Sequence, residues 1–181
     1  YVNGQSEDTK EFSVLFIGNS LTYYNNLPKL VTENAKSKDL AIKTQMLAFP
    51  NYAIEDHWNE GKIQKLLKSK NFDYIIIQQG PSSQEWGREV LFEYGVKYNA
   101  LCSANGVKLV YFMVWPSRAY YYTFPGVIKN YREASINTSS ILCPVGEVWK
   151  NCLWVVFGNL DDSSCLSLEV PTCFYLSLWG L

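Results

Sequence analysis

Three short stretches of this chain are apolar almost without interruption, and they constrain its fold more than any other feature. They are Ser13–Gly18 (SVLFIG), Asp73–Gln78 (DYIIIQ) and Val107–Trp115 (VKLVYFMVW), the last closed by Pro116. Each is short for a core helix and rich in the β-branched and aromatic residues that fit a pleated surface. A strand that is apolar on successive residues is buried on both faces, a situation typical of a parallel sheet covered by helices on each side. The intervening segments supply those helices. Leu27–Lys38 carries Leu27, Leu30, Val31 and Ala35 at helical spacing, with Pro28 in the first turn, where its missing N–H costs nothing. Ile63–Lys68 is amphipathic, Glu89–Asn105 ends at Gly106, and Val127–Ser139 follows the third apolar run. Ala41–Leu47 and Ile141–Val145 are two further strands, and Gly146–Lys150 continues beyond the second. Strand and helix in alternation predict an α/β fold of three layers, α/β/α, around a mostly parallel sheet.

Composition excludes several classes of function. A chain of 181 residues is of single-domain size and long enough to bury a core. Its net charge of −1, with no basic block, argues against a nucleic-acid partner held through phosphates. No apolar run reaches the roughly 18–20 residues that cross a bilayer. One histidine and scattered carboxylates give no metal-ligand spacing, and Gly18 lacks the lysine and further glycines of a phosphate loop. No cofactor and no metal are therefore expected. The five cysteines form no C-x-x-C pair, and Cys102 and Cys143 lie in apolar surroundings that suit buried thiols. The chain starts at Tyr1 rather than Met, and the polar stretch Val2–Glu11 resembles the start of a mature secreted domain. That reading expects a secreted or periplasmic protein with an upstream signal segment. Asn137-Thr138-Ser139 fits a glycosylation acceptor.

The charges are unevenly spread. All 16 Lys and Arg stand at or before Lys150, whereas residues 151–181 hold Asp161, Asp162, Glu169 and no base. Cys152, Cys165 and Cys173 fall in the same stretch. The organisation expected is an extension over residues 1–12, a domain over 13–150 and a divergent tail over 151–181.

In open parallel sheets, ligands bind beyond the carboxyl ends of the strands. Three such ends carry unusual residues: Gly18-Asn19-Ser20-Leu21-Thr22, Gln78-Gln79-Gly80-Pro81-Ser82-Ser83-Gln84, and Trp115-Pro116-Ser117. A serine between a buried strand and a helix start presents its hydroxyl at the sheet edge, beside backbone N–H groups able to hold an oxyanion. That arrangement suits acyl transfer through Ser20. The competing reading is that Ser20 simply caps a helical turn, as serines often do. The segment is not a G-x-S-x-G elbow, because Thr22 takes the last glycine's place. Gln78, Gln79 and Gln84, at the end of a buried strand, need hydrogen-bond partners. Tyr120-Tyr121-Tyr122 with Phe124-Pro125 either lines an aromatic groove or covers a helix edge. Trp58, Trp86 and Trp115 lie near strand ends, where large aromatics are more often core than sugar platforms.

The segment Val14-Leu15-Phe16-Ile17-Gly18-Asn19-Ser20-Leu21-Thr22 resembles the first block of the SGNH (GDSL-like) hydrolases. There a serine nucleophile follows the first strand, and Asn19 stands where Asp is usual. Pro50-Asn51-Tyr52-Ala53-Ile54-Glu55-Asp56-His57-Trp58 resembles the second block, with Asn51 nearest a glycine whose N–H faces the oxyanion. Gly80-Pro81-Ser82-Ser83 resembles the third, usually Gly-x-Asn-Asp, so that Ser82 takes the place of the oxyanion asparagine and Gln79 is a substitute donor. Trp115-Pro116 and Pro144-Val145-Gly146-Glu147-Val148-Trp149 also resemble family stretches, and the likeness runs from about Ser13 to Lys150. It implies a flavodoxin-like sheet and an ester hydrolase working through an acyl-serine. Ser20, Asn51, Gln79, Gly80, Ser82 and Asp162 would do the chemistry, with Asn19, His57, Trp115 and Tyr120 lining the substrate. The implied partner is a small-molecule or glycan ester. The alternative is a non-catalytic module binding carbohydrate or an acyl ligand on the same scaffold.

Serine needs a neighbouring base, because its free hydroxyl is a poor nucleophile at neutral pH. The family takes that base from Asp-x-x-His near the C-terminus, whereas this chain reads Asp161-Asp162-Ser163-Ser164-Cys165. His57, in Asp-His-Trp, reads as structural or site-lining. The chain is accordingly expected to be weak or inactive. A one-nucleotide frame shift through Asp162–Leu176, with permitted codons, can encode Ile-His-Pro and, four residues on, Ser-Arg-Phe-Leu-Leu-Ala-Phe-Ile. Cys173-Phe174 then becomes Ala or Val, and Glu169-Val170 becomes Lys or Arg. The frame-shift reading expects source DNA whose shifted frame carries that histidine. An open, unshifted frame shared by close relatives overturns it.

Overall fold

The computed structural model describes residues 11–158. Five parallel strands form one sheet: β1 (Phe12–Gly18), β2 (Ile42–Ala48), β3 (Tyr74–Ile77), β4 (Lys108–Phe112) and β5 (Ile141–Cys143), in the order β2-β1-β3-β4-β5. The sheet bears out the alternation read from the sequence, with its three apolar runs as the adjacent central strands.

Side chains alternate across a strand, so each central strand feeds two cores. Leu15, Ile17, Ile75, Ile77, Leu109 and Tyr111 face one way. They pack on helices α3 (Ile54–Asn59), α4 (Lys62–Ser69), α5 (Glu85–Ala104) and α6 (Phe124–Asn137). Val14, Phe16, Tyr74, Ile76, Val110 and Phe112 face the other way, onto α2 (Leu27–Lys36) and α7 (Val145–Gly158). This is a three-layer α/β/α architecture. Cys102 and Cys143 are both buried, one in each core. Among the described residues no helix is long and apolar enough to cross a membrane.

The structure departs from the sequence reading at several places. A four-residue helix α1 (Ser20–Tyr23), α3, and a 3-10 turn over Arg118–Thr123 are additional. Each is too short to show a helical period. Helix α5 begins at Glu85, ahead of Gly87, a residue that reads as a helix breaker. Here the glycine is required by packing. A Cβ at Gly87 would collide with the Pro81 carbonyl oxygen and stand 2.7 Å from its carbon. The first turn of α5 is thereby pressed against the loop that leaves β3. The composition break after Lys150 falls inside α7, which continues to Gly158. Trp58 packs edge-on against Tyr98, as core aromatics do, but Trp86 is 52% exposed.

Gly87→Ala sets a helix-propensity gain of about 1 kcal/mol against a backbone collision. The collision should win, with a net loss of about 1–3 kcal/mol in urea unfolding. Val96→Ala, at an exposed position of the same helix, should change stability by no more than about 0.5 kcal/mol.

Candidate active site

The chain runs from β1 to β2 on one side of the sheet and then to β3 on the other, so the strand order reverses between β1 and β3. Loops leaving those two strands part in opposite directions, and a crevice is left between them. A cleft of about 820 Å³ opens there. Its wall includes Asn19-Ser20-Leu21 after β1, Gly80 to Gln84 after β3, and Val114 to Ser117 after β4. Tyr120, Tyr122, Thr123 and Val127 complete it.

Local hydrogen bonds explain how the serine is held. The Asn19 side chain caps α1, its Oδ1 accepting the Leu21 N–H at 3.2 Å. Asn19 Nδ2 donates to the Tyr52 carbonyl at 3.1 Å, and its backbone N–H donates to Gln78 Oε1 at 3.2 Å. The cap is thus Asn19 and not Ser20, against one of the two sequence readings. Ser20 is exposed on the cleft, and among the described residues neither its hydroxyl nor its N–H makes a hydrogen bond. Gln78 Oε1 also accepts the Thr22 hydroxyl at 3.1 Å. A Cβ at Gly18 would strike both Thr22 Oγ1 and Gln78 Oε1, so only glycine lets this junction close.

Across the cleft, Ser82 is fully buried, and its Oγ has no partner among the described residues. A buried hydroxyl without a partner costs about 1–3 kcal/mol. The Ser82 carbonyl accepts from Asn130 Nδ2 at 2.8 Å, and Arg88 Nε donates to Asn130 Oδ1 at 3.1 Å. Tyr131 OH both accepts the Gln79 N–H at 2.8 Å and donates to the Gln79 carbonyl at 2.7 Å. Helix α6 therefore holds the loop after β3. Asn130 and Tyr131 were not singled out from the sequence, although polar atoms on the apolar stripe of Val127, Tyr131 and Ala134 are a readable signal.

Of the residues expected at the site, Asn19, Ser20, Gly80, Ser82, Trp115 and Tyr120 come together on this cleft. Three others do not line it. Gln79 is fully buried, its Oε1 accepting the Ile54 N–H at 3.0 Å and its Nε2 donating to the Gly80 carbonyl at 3.2 Å. Both ends of its amide are spent on bracing the loop. Asn51 does adopt a glycine-like backbone, with φ of 61°, but it is exposed in the turn before α3 and away from the cleft wall. Asparagine tolerates that left-handed conformation. His57 is the third correction. Asp162 lies outside the described residues.

His57 is 2% exposed and packs between Phe49 and Tyr52, whose ring centroids lie 5.8 and 5.0 Å away. Its Nε2–H donates to the Gly18 carbonyl at 2.8 Å. The imidazole therefore supports the residue before Asn19-Ser20 from behind. Desolvation holds its pKa below the ordinary 6.5, only partly opposed by the Gly18 carbonyl. An imidazole whose pKa falls on folding stabilises fully above 6.5 and loses that contribution as pH drops towards its folded pKa. The chain has one histidine, so a single NMR resonance reports it. It should titrate below 6.5. In His57→Gln the fall in stability just below pH 6.5 should be absent, and His57→Ala should lower stability by about 1–3 kcal/mol. A midpoint at or above 6.5 contradicts this account.

No family model and no curated protein matches the sequence. Solved structures do match. A candidate SGNH hydrolase from Slackia heliotrinireducens has a TM-score of 0.71 at 14% identity, over 93% of this chain and 100% of that one. A variant of Axe2, an acetyl-xylooligosaccharide esterase from Geobacillus stearothermophilus, gives 0.65 at 12% identity, over 93% and 94%. The psychrotrophic esterase EstA from Pseudoalteromonas sp., inhibited by monoethylphosphonate, gives 0.62 at 11% identity, over 92% and 96%. At such identities the likeness is one of fold. The chain has the α/β/α fold of the SGNH hydrolases.

Proposed function

We propose that this domain is an SGNH-type hydrolase of carboxylic esters, with Ser20 as nucleophile and with its base lacking. The observation that supports this most is that exposed Ser20, whose hydroxyl makes no hydrogen bond among the described residues, and Ser82, whose buried Oγ has no partner there, belong to the wall of one cleft at the strand-order reversal. Ser20 Oγ attacks the acyl carbon, its proton passes to a base, and the carbonyl oxygen becomes an oxyanion. The Ser20 N–H is free to receive that charge, and Ser82 Oγ replaces Gln79 as the side-chain donor. Gly80 lies on the same wall and offers a third contact, through its backbone N–H. Collapse of the tetrahedral intermediate expels the alcohol, and water then releases the acyl group from Ser20 by the same steps.

The base is what is missing. His57 is the chain's single imidazole, and it is committed to the Gly18 carbonyl. In this reading Asp162 is what remains of the acid–base pair. A positioned base contributes about 10²–10⁴ in rate, so turnover should fall short by that factor while the oxyanion donors remain. Exogenous imidazole can supply the base from solution. Hydrolysis of a short-chain acyl ester should be slow, should rise with added imidazole beyond the uncatalysed background, and should lose that rise in Ser20→Ala. With imidazole present an alkylphosphonate should modify Ser20 and no other serine, and without it the modification should be slow. Fast turnover or fast labelling of Ser20 without imidazole refutes the missing base, and a Ser20 that stays unlabelled even with imidazole refutes the nucleophile. Unlabelled Ser20 in a chain that still binds ligand favours the binding-module alternative.

A further inference from the structure

Ser82 Oγ makes no hydrogen bond among the described residues, so no partner at its own tip aims it. Its direction is set by the backbone that carries it, and two adjacent residues of α6 grip that backbone from behind. Tyr131 OH takes the Gln79 N–H and donates to the Gln79 carbonyl, while Asn130 Nδ2 donates to the Ser82 carbonyl at 2.8 Å. Only Gly80 and Pro81 lie between these two fixed points. Pro81 is held in turn, its carbonyl accepting the Gln84 N–H at 3.2 Å with Gly87 packed against it. Tyr131 and the start of α5 therefore fix the loop as far as Pro81. The bond that reaches Ser82 itself is the one from Asn130.

An asparagine amide can turn either end towards a neighbour, and here both neighbours dictate the same choice. A carbonyl only accepts, so Ser82 requires the Nδ2 end, and a guanidinium only donates, so Arg88 requires the Oδ1 end. Arg88 Nε donates to Asn130 Oδ1 at 3.1 Å. The guanidinium is itself steadied, with Nη2 donating to Glu133 Oε2 at 3.3 Å and its carbon 4.3 Å from the centre of the Phe92 ring. Asn130 is buried, so water competes little for its amide. Its two bonds link a surface cation to a buried hydroxyl on the cleft wall.

We propose that Asn130 is a positioning residue of the site. It holds Ser82 where the Oγ can meet an oxyanion, and Arg88 sets which end of the Asn130 amide does the holding. This rests on the ester-hydrolase reading with Ser82 as a donor. A hydrogen-bond donor displaced by about 1 Å loses most of its effect on a transition state, so a residue that never touches the ester can still govern its cleavage.

The isosteric change Asn130→Asp isolates this role. It keeps an oxygen for Arg88 and puts a second oxygen, with no proton to give, against the Ser82 carbonyl. The readout is labelling of Ser20 by a p-nitrophenyl alkylphosphonate in imidazole at neutral pH. Ser20 Oγ bonds to phosphorus, the bond to p-nitrophenolate breaks, and imidazole takes the serine proton. Ser82→Ala should slow labelling about 10²-fold, and Asn130→Asp about tenfold. Because Asn130 acts through Ser82, adding Asn130→Asp to Ser82→Ala should cost no more than about a further twofold, whereas general damage to the fold would slow both backgrounds alike. In imidazole-supported hydrolysis of a short-chain acyl ester, Asn130→Asp should lower kcat at unchanged KM, since the oxyanion exists only after attack.

If Asn130→Asp does not fold, Arg88→Met carries the same test. Its stem still covers Phe92, and Glu133 keeps Lys129 at 3.9 Å. Labelling should then slow several-fold, again only while Ser82 is present. A folded variant that labels at the wild-type rate, or that slows equally with and without Ser82, overturns the positioning role and leaves the ester-hydrolase reading standing. Ser82→Ala at the wild-type rate removes Ser82 as a donor and the proposal with it. A wild-type Ser20 that stays unlabelled in imidazole overturns the ester-hydrolase reading itself, and with it the role of Asn130.

Discussion

The side chain of Gln78 joins the two halves of this site. Its Oε1 takes the Asn19 N–H and the Thr22 hydroxyl, binding the end of β3 to the turn that follows β1. Those two strands are neighbours only because the chain reverses its direction of travel across the sheet between them. The reversal opens a crevice, and Gln78 keeps the crevice floor from spreading. Gly18 is part of the same constraint, since any side chain there would strike both oxygens. Ser20 owes its placement to this junction. With Asn19 acting as the cap, the serine hydroxyl is left over for the cleft.

A second layer of support makes the arrangement rigid. His57 holds the Gly18 carbonyl, Gln79 ties Gly80 to the start of α3, and Tyr131 fixes Gln79 from α6. All three are buried polar groups, and a buried polar group with its partners in place defines one geometry at high cost to alternatives. The supports come from α3, α6 and the loop after β3, so the site is held from both sides of the cleft. This explains why Gln79 and His57 are polar and buried without touching the cleft. They are recognisable from the sequence as chemistry-bearing residues, but whether such a residue faces a ligand or braces the backbone depends on partners far along the chain.

The fold was legible because its signal is local. Uninterrupted apolar runs can be read one segment at a time, and their alternation with amphipathic helices leaves few architectures. The positions of Ser20, Gly80 and Trp115 beyond strand ends followed from the same reading, since each stands at the end of an apolar run or two residues past it. The errors have a common cause. Gly87 reads as a helix breaker until the Pro81 carbonyl is known to lie against it. Asn51 has a left-handed backbone, yet it is exposed in the turn before α3 and does not line the cleft. That Tyr120 and Tyr122 line the cleft while Tyr121 packs on Phe124 is a choice made by Phe124 and invisible in three consecutive tyrosines.

On the proposed reading, a cleft with its nucleophile, donors and floor in place but, among the described residues, no base to accept the proton presents a physical tension. Buried polar groups without partners, such as Ser82 Oγ, are costly to maintain unless something fills them. Ligand binding alone can meet that cost, because a hydroxyl or carbonyl oxygen satisfies Ser82 whether or not bonds are broken. The loss of a base removes turnover and leaves ground-state binding largely intact, since the base acts on a proton that moves only during reaction. The supports around Gly18, Gln78 and Gln79 serve binding and catalysis alike. On the proposed reading, the absence of Asp-x-x-His after Lys150 bears on the rate at which a bound ester is cleaved, while the described residues hold the cleft that binds it.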